Sequence, residues 1–96
     1  MSSDNCIGIL KTIDSKGSGY EYRVSHILGL DNLNWDDKAK TQTNDPDVLI
    51  KNAREMWSDC KVHTNEADAV TEAVKQAEDV FFLEYGICTI EIERVF

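Results

Sequence analysis

Histidine occurs twice in this chain, proline once and cysteine three times, and no apolar run approaches the roughly 20 residues that span a bilayer. Each shortage excludes something. Nucleophilic catalysis needs a Ser, Cys or Thr held by a base, and neither His26 nor His63 stands in a supporting motif. No catalytic residues are expected, and the chain reads as non-enzymatic. Cys6, Cys60 and Cys88 are odd in number and widely spaced, which supports neither a disulfide framework nor a zinc cluster. Cys60 and His63 form a lone C-x-x-H, half of a zinc site at most. The aspartates between Asp31 and Asp37 lack the ligand spacing and central glycine of an EF-hand loop. No metal is expected. With five glycines there is no nucleotide-binding fingerprint, and Gly17 and Gly19 suit a hairpin loop better than a phosphate loop, since the lysine and helix of the latter are missing. No cofactor is expected. Residues 1–5 have neither a basic start nor an apolar signal core, so the chain reads as soluble and cytoplasmic.

Basic residues are the other scarcity. Eighteen acids face ten Lys and Arg, for a formal net charge of −8. That balance disfavours direct binding to nucleic acid or to an anionic membrane. The imbalance is local: residues 45–96 carry twelve acids and five bases, whereas residues 1–44 carry six and five.

What is present suffices for one small core over residues 1–96. Cys6–Ile13 alternates like a strand, with Ile7, Ile9 and Ile13 on one face and Leu10 on the other. A turn over 14–19 leads to a second strand over 20–28, antiparallel to the first. Leu33 and Trp35 mark a short third strand or a loop anchor, and 38–44 is polar. Asn44-Asp45-Pro46-Asp47 is a helix start, and Val48, Leu49, Ala53, Met56, Trp57 and Cys60 predict one buried face over 46–60. A second helix over 66–80, capped by Thr64 or Asn65, would bury Ala67, Val70, Val74, Ala77 and Phe81 and turn Asp68, Glu72, Lys75 and Asp79 outward. A last strand covers 87–95, with Thr89, Glu91 and Glu93 on its wet face. The predicted class is α+β, in the order β-β-(β)-α-α-β: a small antiparallel sheet of three or four strands with both helices on one face.

The stretch from Val62 to Glu93 holds eight acids and one base, Lys75. Such a surface predicts a binding protein that docks on a basic protein surface, with Glu66, Asp68, Glu72, Glu78, Asp79, Glu91 and Glu93 as protein-binding residues. Carboxylates 5 to 6 Å apart on a helix roughly match phosphate spacing, so the partner expected is a nucleic-acid-binding protein inhibited by mimicry. Small acidic proteins by which phages and mobile elements disable host nucleic-acid machinery, anti-CRISPR proteins among them, share this profile of size and charge. The alternative is a structural or regulatory subunit, for instance a homodimer, that self-associates through an edge strand or a patch built from Tyr20, Tyr22, Trp35 and Tyr85.

Overall fold

In the computed structural model, which describes residues 5–80 and 82–96, strand β1 (Cys6–Ile13) turns back into β2 (Tyr20–Ile27). Asp14 holds the turn: its Oδ1 accepts from the backbone N–H of Lys16 and Ser18 at 3.0 and 3.1 Å. Gly17 takes φ +73°, a conformation that costs other residues a Cβ clash. The strands are antiparallel as expected, with Ile9 opposite Val24 and Leu10 opposite Arg23.

The irregular stretch that follows forms its own two-stranded ribbon, β3 (Trp35–Asp36) and β4 (Thr41–Gln42). It is pinned to helix α1 (Pro46–Met56) by the Asn52 amide, which donates to the carbonyls of Leu33 and Trp35. Asp45 caps α1 by accepting from the Asp47 N–H. The helix stops short of the expected Cys60. Trp57 leaves it to drive its indole under the sheet, where Nε1–H donates to the Gly8 carbonyl at 3.0 Å. Gly8 permits this approach, because a Cβ there would lie 2.8 Å from the ring. Helix α2 (Glu66–Glu78) starts at Asn65, whose side chain accepts from the Asp68 N–H and donates to the Asp68 carboxylate. The chain ends in β5 (Ile87–Val95).

The α+β class and the element order agree with the sequence, but two parts of the predicted arrangement need correction. The sheet is mixed, in the order β2-β1-β5, with β5 parallel to β1. The cause lies in the path of α2. It begins beside His63, which pairs with Tyr22 near the far end of β2, and delivers the chain to the start of β1. There Asn5 binds the Phe82 carbonyl and the Glu84 and Tyr85 amides, and the Ile7 N–H donates to Gly86. A strand starting at that point runs alongside β1 in the same direction.

The helices also lie on opposite faces rather than on one. Cys6, Leu10, Ile27 and Ile92 pack with Ile50, Ala53 and Trp57 of the α1 side, whereas Ile7, Ile9, Tyr22 and Val24 pack with Ala69 and Ala73 of α2. Cys6-Ile7-Gly8-Ile9-Leu10 is apolar without interruption, so both faces of β1 need cover and one helix can supply only one. Among the described residues, no helix is long and apolar enough to cross a membrane.

Candidate functional site

Helix α2 decides which acids are available. It approaches the sheet through Ala69 and Ala73, both fully buried, with Ala77 half-buried beyond them; of the expected stripe only Ala77 packs on the core, Ala67, Val70 and Val74 are exposed, and Phe81 lies outside the described residues. Alanines win because they let the helix axis settle close over Ile7, Ile9, Tyr22 and Val24. The helix is therefore rotated from the expected orientation, and its two flanks differ.

The first flank faces the outer edge of β2. Tyr22 exchanges both of its outward backbone hydrogen bonds with His63, at 2.9 and 2.8 Å. The His63 ring, 8% exposed, binds Glu72 Oε1 at 2.5 Å through Nε2. Gln76 Nε2 donates to Glu72 Oε2 and reaches the Val24 carbonyl at 3.5 Å. Glu72 thus ties together the two groups that close this edge. It is half-buried and fully engaged, contrary to the expectation of an outward acid. A shallow cavity of about 410 Å³ beside it is lined by Lys61, His63, Asp68, Thr71, Glu72 and Lys75, so carboxylates here are offset by two lysines. Asp68 is exposed but serves the helix start, and Asp79 follows the last turn, also exposed.

The second flank is the row Glu66, Val70, Val74 and Glu78, spaced four apart and hence aligned along the helix. It turns away from the His63 clasp, toward the uncovered side of β5. Val70 and Val74 are 41% and 46% exposed, between two exposed glutamates. On β5, Thr89 and Glu91 belong to the same side of the sheet, since Ile9 and Lys11 are their register partners. Lys11 lies over the Tyr20 ring at 4.1 Å. Glu93, exposed, follows just before the register slips near the end of the strand. The predicted acidic surface therefore divides: Asp68, Glu72 and Asp79 on the first flank, Glu66, Glu78, Glu91 and Glu93 on the second.

Sequence reasoning missed the Glu72–His63–Gln76 clasp. The i, i+4 spacing of Glu72 and Gln76 was the available signal, but His63 joins them only through its pairing with Tyr22. His26 is exposed near the end of β2. Burial pushes the Cys6 thiol up to about 11, with Cys88 beside it adding to the effect, and burial also raises Cys60. Neither is an activated nucleophile. Among the described residues, no group of three His, Cys, Asp or Glu side chains is arranged to hold a metal ion. Of the four aromatics considered as a patch, Tyr22 is buried, while Tyr20 on β2, Trp35 on β3 and Tyr85 in the connection before β5 are exposed. Comparison with protein-family models, with curated proteins and with solved structures gives no match for this chain.

Proposed function

We propose that this chain is a non-enzymatic binding protein whose second α2 flank, Glu66, Val70, Val74 and Glu78 with Glu91 beside it, docks on a basic surface of a nucleic-acid-binding protein. The observation that carries the reading is the pair of exposed valines set in a row of carboxylates. A face kept only for solubility gains nothing from two valines. Apolar anchors with a polar rim are the usual anatomy of a protein interface. Part of the charge is also placed against the helix. Glu78 and Asp79 stand at the C-terminal end of α2, where the negative pole of the dipole makes an acid cost about 0.3 to 1 kcal/mol. Glu66 and Asp68, at the other end, suit the dipole and need no partner to explain them. On such a partner the carboxylates would take the places that phosphates take, and complementary charge would speed association.

The test is capture on the immobilised protein, identification by mass spectrometry, and reconstituted binding with the isolated partner. Glu66→Lys with Glu78→Lys should slow association at low salt, Val70→Ser with Val74→Ser should speed dissociation, and duplex DNA or RNA should compete. A partner indifferent to both double variants and to nucleic acid would remove this reading.

A further inference from the structure

The two edges of the main sheet are finished differently. On β2, His63 takes both outward backbone groups of Tyr22, and Gln76 reaches the carbonyl of Val24. On β5, no strand among the described residues pairs with the outer side. The parallel ladder sets which groups point out. Because the Ile7 N–H donates to the Gly86 carbonyl, the even-numbered residues of β5 turn their backbone toward β1, and Ile87, Thr89 and Glu91 turn theirs outward. Near the end of the strand the edge is taken: Arg54 donates to the carbonyls of Val95 and Phe96 at 3.2 and 2.6 Å. The open length is Ile87 to Ile92, about 20 Å of strand.

From this open edge we infer that β5 accepts an extended, lysine- or arginine-bearing segment of the partner as a fourth strand of the sheet. The side chains that would flank such a segment specify its pattern. Cys88, Ile90 and Ile92 lie on the α1 side and pack against the core there, so every second residue of the incoming strand meets an apolar surface. Ile87, Thr89 and Glu91, with Glu93 beyond them, are exposed on the alternate positions. Lys11 neighbours Glu91 from β1 and is engaged with Tyr20, so the outer side of Glu91 is where a further cation fits. Strand addition of this kind draws affinity from main-chain hydrogen bonds and specificity from alternate side chains. A second copy of this chain fits less well. It would bring another net −8 and offer only Ile, Thr and Glu at the exposed positions of β5.

The inference rests on the proposed function for the sign of the partner's charge, and on the sheet for where the segment pairs. A labelled nine-residue peptide alternating lysine and valine serves as the probe, with glutamate–valine and backbone N-methylated lysine–valine peptides as controls. The lysine–valine peptide should bind and slow amide exchange at Ile87, Thr89 and Glu91, and neither control should do so. Thr89→Pro removes one outward N–H and no bond to β1, so the fold is retained while binding weakens by about tenfold or more. Glu66→Lys with Glu78→Lys should leave exchange protection on β5 in place. If the peptide binds Thr89→Pro as well as the parent, or the N-methylated peptide binds equally, strand addition is overturned. Loss of binding in the α2 variant alone would overturn it too, while leaving the docking reading intact. Concentration-dependent protection of Thr89 without peptide would assign the edge to a second copy.

Discussion

The two faces of the main sheet are closed by opposite means. On the α1 side one large group, the Trp57 indole, fills the space beneath Gly8 and is ringed by Cys6, Leu10, Ile27, Ile50 and Ile92. On the α2 side the helix meets the sheet through alanines, Ala69, Ala73 and the half-buried Ala77, and most of the volume comes from the strands themselves through Ile7, Ile9, Tyr22 and Val24. Close approach by small residues brings the helix down but gives it little apolar area. The missing attachment is supplied at one rim by polar groups, Glu72 holding His63 and Gln76. At the other rim nothing comparable appears among the described residues, and Val70 and Val74 stay exposed. The face closed by small residues is the one that leaves Val70 and Val74 exposed.

If that contrast holds, damage on the α1 side should be the more severe. Trp57→Ala should cost about 3 to 5 kcal/mol, most of the stability of a small domain, with the Gly8 carbonyl losing its partner as well. Urea unfolding followed by circular dichroism measures it. A folded variant within 1 kcal/mol of the parent would mean that the indole is not the keystone of that face.

Alkali probes the same face through Cys6. Its thiol is fully buried and titrates near 11 instead of near 9, because burial disfavours the thiolate. The folded state therefore holds this proton more tightly than the unfolded chain does. Its contribution is fully present below pH 9 and is lost as pH rises toward 11, a decline of about 2 to 3 kcal/mol. Comparison of Cys6→Ala with the parent across that window isolates the thiol. Equal slopes would show that other groups account for the loss.

On the α2 side, Glu72→Ala should cost about 1 to 3 kcal/mol by leaving His63 buried without its acceptor. The double variant with His63→Ala should cost less than the sum of the two singles, the signature of a coupled pair. Additive costs would dissolve the clasp. Asp68 and Glu72 stand four apart, a spacing at which like charges repel, so on spacing alone lysine at either position would stabilise the helix. With Glu72 bound to His63 and Gln76, Glu72→Lys destabilises.

The smallest effect belongs to the open rim. Val70→Ser with Val74→Ser should change stability by no more than about 0.5 kcal/mol per site, because both side chains are already exposed on the surface. A cooperative loss of several kcal/mol in thermal unfolding would show that they are covered, and would remove the docking surface.

What the sequence determined by itself was set by local rules. Asp14 and Gly17 make the hairpin turn, Asp45 with Pro46 and Asn65 with Asp68 start the helices, and period-two alternation marks β1, β2 and β5 close to their observed ends. These depend on neighbours a few residues away, and the chain carries them wherever it goes. The surplus of acid over residues 45–96 is likewise a property of the sequence alone. What the tertiary structure decided depends on which surfaces meet. Val70 and Val74 recur at helical spacing as well as Ala69 and Ala73 do, and on hydrophobicity the valines look like the buried pair. Only contact with Ile7, Ile9, Tyr22 and Val24 selects the alanines, since close packing of a helix on a sheet rewards small size over apolarity. That one rotation places Glu72 in a clasp rather than in solvent and brings Glu66 and Glu78 onto the open flank. The direction of β5 was equally hidden from the sequence, because it follows from the path of α2 across the sheet, which no local pattern encodes.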